Sequence, residues 1–103
     1  MPDADALARV RDFLKQIWID NTEEEAAAVW RRRVEINPAW AERSLAALDA
    51  VLADPPDDLR QELERHGWIS LYHRPDPSTV TPYTQAETLA WLREMTARFR
   101  AVR

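Results

Sequence analysis

Three helix-start signatures punctuate this chain, and they constrain its fold more than any other feature. Thr22 followed by Glu25, and Thr84 followed by Glu87, are capping boxes. In each the threonine hydroxyl accepts from the amide three residues on, and the glutamate reaches back to the cap amide. Asn37-Pro38 is the third signature, an asparagine cap ahead of a proline at the first helical position, where its missing N–H costs nothing. Helices are therefore expected from about Glu23, from Pro38 and from just after Thr84.

Periodicity supplies the rest. At 100° per residue, Ala6, Leu7, Val10, Phe13, Leu14, Ile17 and Trp18 share one broad arc with Arg9, Asp12 and Gln16 opposite. This predicts a first helix that ends near Ile19, which falls off the arc, with Asp3 or Asp5 complementing its N-terminal dipole. The second helix has Glu23, Glu24 and Glu25 in its first turn and Arg31, Arg32 and Arg33 in its last, an arrangement that complements the macrodipole at both ends. Its apolar stripe is Ala26, Val29, Trp30 and Val34, and Arg33 projects onto the middle of that stripe. Arg33 is expected either to lay its stem over the core or to pair with a carboxylate of another helix. The third helix runs to about Ala53 on Trp40, Ala41, Leu45, Ala47, Leu48, Val51 and Leu52. Asp54-Pro55-Pro56-Asp57 breaks it, and Asp57 is read as the cap of a short fourth helix with a Leu59, Leu63, His66 stripe closed by Gly67. The last helix extends to about Arg100, with Leu89, Leu92, Met95 and Phe99 inward and Trp91 at the edge of the stripe.

The fold class expected is all-α: one domain over residues 1–103, a small bundle of about five helices. Residues 68–83 stand apart. WISLY is rich in β-formers, Arg74-Pro75-Asp76-Pro77 is turn-like, and Ser78 to Thr81 is β-branched, a pattern that fits either a short β-hairpin or an irregular excursion.

Composition excludes several functions. Gly67 is the single glycine, so no glycine-rich phosphate loop exists. There is no cysteine, hence no disulfide, thiol nucleophile or thiolate metal site. The 18 acidic against 14 basic side chains leave a formal charge of -4, which favours cationic partners over nucleic acid or an anionic membrane. No apolar run reaches the roughly 18 residues a membrane span needs, and the acidic, amphipathic opening MPDADALARV is not expected to act as a signal peptide. A cytoplasmic location is the expectation.

Catalysis is not expected. His66 and His73 are the only histidines, and neither sits in a metal-ligand spacing with carboxylates. Ser44 and Ser70 lack a glycine-framed elbow, and the paired acids at Asp57-Asp58 and at Glu23 to Glu25 lie in first helical turns where the dipole explains them. No catalytic residue, metal or cofactor is therefore assigned. Thirteen of the 14 basic residues are arginine, so Arg31 to Arg33 could contact phosphate, which keeps a small helical regulator or nucleic-acid-binding module as an alternative. Five tryptophans are many for a core of this size. Trp30 and Trp40 fit packing positions, whereas Trp18, Trp68, Tyr72 and Trp91 are candidates for partial exposure, and tryptophan, tyrosine and arginine are the side chains that anchor protein interfaces. A homo-oligomeric scaffold packing these tryptophans is a further alternative.

The order of IWIDN, TEEEAAAVW, NPAWAERSLAALDAVLADPP, DLRQELERHGW and TLAWLREMTARF resembles the small helical immunity proteins of bacterial contact-dependent growth inhibition systems. The family pattern has a histidine beside the acid and a glycine-bearing loop before the second helix; here Ile19 and Asn21 flank Asp20, and no glycine stands there. The resemblance implies a cytosolic protein that binds and blocks the C-terminal toxin domain of a large effector, often a nuclease with a basic surface. An acidic inhibitor suits such a surface, because complementary charge raises on-rate and selectivity. The toxin-binding residues then expected are Trp18, Asp20, Asn21, Glu23 and Glu24 around the first turn, with Asp57, Asp58, Trp68 and Tyr72 as a second group.

Overall fold

The computed structural model describes residues 3–18, 21–65 and 71–102. Among them the order is α1 (Ala4–Trp18), α2 (Glu23–Ile36), α3 (Pro38–Ala53), α4 (Leu59–Glu64), β1 (Tyr72–Asp76), β2 (Thr79–Pro82) and α5 (Gln85–Arg100). The starts of α1, α2, α3 and α5 have the local causes expected of them. Thr22 Oγ1 accepts from the Glu25 amide at 3.2 Å while the Glu25 carboxylate accepts from the Thr22 amide at 2.9 Å. Thr84 and Glu87 repeat the exchange, the Asn37 side chain accepts from the Trp40 amide, and Asp3 accepts from the amides of Asp5 and Ala6. At the end of α1 the Asn21 side chain donates to the Ile17 carbonyl at 2.8 Å, closing the last turn.

The cap of α4 differs from expectation by one residue. Asp58 accepts from the Gln61 amide at 3.1 Å, three residues on, and Asp57 lies in the turn before it. A second acceptor also serves this helix start. Gln85 takes the Leu59 amide at 2.9 Å and donates to the Pro56 carbonyl at 2.8 Å, which ties the first turn of α4 to the first residue of α5. The His66 and Gly67 readings lie outside the described residues.

The excursion is a hairpin over Tyr72 to Pro82. Tyr72 pairs with Pro82 and His73 with Thr81, then the register shifts before Asp76 meets Thr79. Arg74-Pro75, read as part of the turn, belongs to β1 instead. Pro75 cannot donate to a ladder, and the irregularity beside it is where a strand tolerates that loss. The turn itself is Pro77-Ser78, held by Asp76, whose carboxylate accepts from the Ser78 amide and hydroxyl and from the Thr79 hydroxyl. Leu71, which is buried, pins the base: its amide donates to Glu64 and its carbonyl accepts from Tyr83. An isolated two-stranded ribbon is marginal in water, so these root contacts matter for its order.

The helices bury one core. α3 packs against α1, α2 and α5, and four aromatic rings, one from each of these helices, meet at its centre. Trp30 is fully buried, stacks on Phe99 at 5.3 Å with the planes 14° apart, and donates from Nε1 to the Phe99 carbonyl at 2.9 Å. Phe13 meets Trp30 edge-on at 5.6 Å, and Trp40 closes the cluster 6.1 Å from both Phe13 and Trp30. The offset and edge-on arrangements are those that ring quadrupoles favour.

Among the described residues no carboxylate pairs with Arg33. Its guanidinium lies 5.4 Å from the Trp40 ring centroid and donates to the Gln16 amide oxygen at 2.8 Å. A cation on the apolar stripe is thus met by an aromatic face and a neutral acceptor.

Three polar side chains that the apolar pattern did not select are also buried. Thr88 and Thr96 return their hydroxyls to the carbonyls four residues back, at 2.9 and 2.7 Å. Ser44 is 1% exposed, and its hydroxyl has no hydrogen-bond partner among the described residues. Replacing it with alanine removes an unsatisfied group without leaving a large void. Ser44→Ala is therefore expected to raise stability by up to about 1 kcal/mol in urea denaturation, and a loss of stability would show the hydroxyl to be satisfied.

A candidate protein-binding cleft

On α5 the residues Glu87, Trp91, Glu94 and Arg98 recur at i, i+4, i+7 and i+11, a spacing that puts them on one helix face. The adjoining face carries the buried Leu92, Met95 and Phe99. Two neighbouring elements reach this polar-aromatic stripe. Trp18, the last residue of α1, packs its ring 6.0 Å from that of Trp91 at 52°, and its Nε1 donates to the Met95 sulfur at 3.3 Å. Glu23, the first residue of α2, forms an ion pair with Arg98.

The result is a cleft of about 60 Å³ lined by Trp18, Glu23, Trp91, Glu94, Met95, Arg98 and Phe99. Its floor is aromatic and thioether and its rim is charged. Both indoles are half-buried, and the rim side chains of Glu23 and Glu94 are 66% and 75% exposed. Arg98 touches Glu94 at only 3.5 Å, longer than a good charge-assisted hydrogen bond. Two carboxylates therefore face one guanidinium, which leaves one negative charge in excess at the cleft mouth. A cleft this small lies well under the roughly 300–1,000 Å³ of ordinary ligand pockets, so it suits a single side chain.

Of the residues named from sequence, Trp18 and Glu23 line this cleft. Asn21 is engaged in closing α1, and Glu24 is exposed on the same first turn as Glu23 without lining the cleft. Asp20 and Trp68 lie outside the described residues. The second group does not converge here: Asp58 caps α4, Asp57 is exposed in the preceding turn, and Tyr72 sits on the hairpin with Arg74 5.5 Å over its ring. Glu94 and Arg98 were not singled out from sequence, and Trp91 was read as a stripe-edge aromatic open to partial exposure but was not placed among the toxin-binding residues. The signal available for them was the i, i+4, i+7, i+11 recurrence on α5. That α1 ends against this face is a tertiary fact with no local signature.

The N-terminal end of the stripe anchors the hairpin. His73 Nε2 hydrogen-bonds the Glu87 carboxylate, and its ring packs tilted against that of Tyr83 at 4.6 Å. Glu87 is thus both a helix cap and a hairpin anchor. Its carboxyl is held below the usual value of 4.5, first by the Thr84 amide and then by His73. Glu25 is lowered in the same way by Thr22, and Asp76 is held below 3.8 chiefly by the Ser78 and Thr79 hydroxyls. A carboxyl whose folded pKa is depressed contributes stability that is complete above its unfolded value and is lost as pH falls through the folded one. The melting temperature is therefore expected to fall as pH drops below the unfolded carboxyl values, with Glu87→Gln showing a shallower decline in the same melts. An unchanged pH profile in that variant would remove Glu87 from the account.

Among the described residues no group of three or more His, Asp or Glu side chains is placed to hold a metal ion, and no described helix is long and apolar enough to cross a membrane. No protein-family model matches this chain, and in comparisons with curated proteins and with solved structures none matches it either.

Proposed function

We propose that this chain is a protein-binding inhibitor, an immunity protein that neutralises the cognate toxin domain of a contact-dependent growth inhibition effector by occupying a basic surface of it. It works in the cytoplasm as a stoichiometric partner and performs no catalysis. The observation that carries the reading is the convergence of Trp18 and Glu23, from the junction of two consecutive helices, with Trp91 and Glu94 of α5 in one acid-rimmed aromatic cleft. Aromatic anchors ringed by charge are the usual composition of an interface hot spot, and the formal charge of -4 favours encounter with a basic partner. The resemblance of the segment order to the immunity family supplies the specific role.

Two other readings have less to rest on. A phosphate patch at Arg31 to Arg33 is weakened because Arg33 is drawn in over Trp40 and toward Gln16. Self-association through the cleft would bring excess negative charge onto its own copy. The test is co-expression of this chain with the toxin domain encoded by the neighbouring upstream reading frame, followed by calorimetric titration of the purified pair. Growth rescue and a one-to-one complex are expected. An upstream frame without a toxin domain, or a toxin neither bound nor blocked, overturns the proposal.

A further inference from the structure

The cleft has a half-used rim, and that asymmetry bears on what the partner presents to it. Arg98 holds Glu23 closely but Glu94 at only 3.5 Å. The Glu94 side chain is 75% exposed. Glu94 stands one turn along α5 from Trp91, on the same helix face, so its carboxylate and the Trp91 ring border one opening. Trp18 is fixed from below because its Nε1 donates to Met95, so the indole pair is ordered before any partner arrives. A preordered aromatic wall next to an under-compensated carboxylate is complementary to a cation that can stack and pair at once.

Resting on the protein-binding reading above, we infer that the cleft receives one arginine side chain of the partner, its guanidinium stacked on the Trp18–Trp91 indoles and paired with Glu94, while Arg98 stays with Glu23. Arginine fits better than lysine. The planar guanidinium stacks on an aromatic face and offers two parallel donors to one carboxylate, whereas an ammonium is compact and more strongly hydrated. Arg33 over Trp40 places a guanidinium against an indole within this chain, at 5.4 Å from the ring centroid.

The probe is an acetylated, amidated tetra-arginine peptide titrated into the full chain, with its tetra-citrulline and tetra-lysine counterparts, read on the indole N–H signals of the five tryptophans by NMR. The arginine peptide is expected to shift the Trp18 and Trp91 signals selectively. The lysine peptide should bind about threefold or more weakly, and the citrulline peptide, which keeps the shape and loses the charge, should leave both signals in place. Glu94→Gln should weaken the arginine peptide about threefold or more, and Trp91→Phe, which preserves a ring and hence the fold, should retain part of the binding while Trp91→Ala removes the Trp18 shift. Citrulline or lysine peptides that shift these signals as strongly, or an affinity unmoved by Glu94→Gln, overturn the inference. So does an arginine peptide that leaves both indoles unshifted, and in that case growth rescue by co-expression still decides the inhibitor reading independently.

Discussion

Replacing Trp30 with alanine is expected to cost about 3–5 kcal/mol of folding stability, the largest effect of any single substitution in this chain. The side chain is fully buried at the one point where α1, α2, α3 and α5 all contribute a ring. Truncation removes the stack on Phe99, the edge contact with Phe13 and the Nε1 hydrogen bond to the Phe99 carbonyl together. Because small domains are stable by only about 5–15 kcal/mol, the variant should melt some tens of degrees lower or fail to fold at 37 °C. Trp30→Phe separates the contributions. It keeps an aromatic face over Phe99 and loses volume and the donor, and the Phe99 carbonyl still accepts from the Val102 amide. A loss of about 1–3 kcal/mol is expected. Chemical denaturation of both variants checks this, and an alanine variant within 1 kcal/mol of the parent would contradict an interior position for Trp30.

The second large effect concerns binding. Trp91→Ala is expected to weaken the complex with the toxin domain by about 2 kcal/mol or more, roughly thirtyfold in Kd. Charge reversal in Glu94→Lys is expected to slow association steeply at low salt and to reduce growth rescue, since a rim charge acts mainly through encounter. The two variants fail in different ways, which makes the pair informative. Glu94 is exposed and its ion pair with Arg98 is long, so its reversal should leave stability within about 0.5 kcal/mol of the parent. Trp91 is half-buried against Trp18, so its truncation should lower stability measurably as well. Surface plasmon resonance at two salt concentrations, alongside thermal melts, resolves binding from folding. If Trp91→Ala binds within about threefold of the parent, the cleft is not the anchor.

Most helix boundaries were legible because their causes are local. A capping box spans four residues, and an asparagine followed by proline spans two, so no tertiary information is required to place α2, α3 and α5. The buried faces of α1 and α3 were legible for the related reason that a 3.6-residue period maps sequence directly onto one side of a cylinder. Where a side chain from elsewhere in the chain intervenes, local reading slips. Asp57 and Asp58 compete for one cap, and the first turn of α4 that Asp58 caps is also held by Gln85, 26 positions from Leu59. The hairpin was undecided because its stabilising contacts, His73 to Glu87 and Leu71 to Glu64 and Tyr83, join segments that no local pattern connects. Arg33 was recognised as out of place on its stripe, yet its resolution required Trp40 and Gln16, which lie on two other helices.

The candidate site divides along the same line. Trp18 and Glu23 stand out in the sequence because a helix end and a helix start fall close together there. Trp91, Glu94 and Arg98 are regularly spaced, but regular spacing on an exposed helix face is also what a solvated helix shows. The residues alone determined that this chain forms capped helices with one aromatic core, carries an acidic surface and lacks glycine-rich phosphate loops and thiol chemistry. Only the packing of α1 and α2 against α5 decided that two half-buried indoles and two carboxylates share one opening, because that proximity depends on how α3 orients its neighbours and not on any stretch of sequence read by itself.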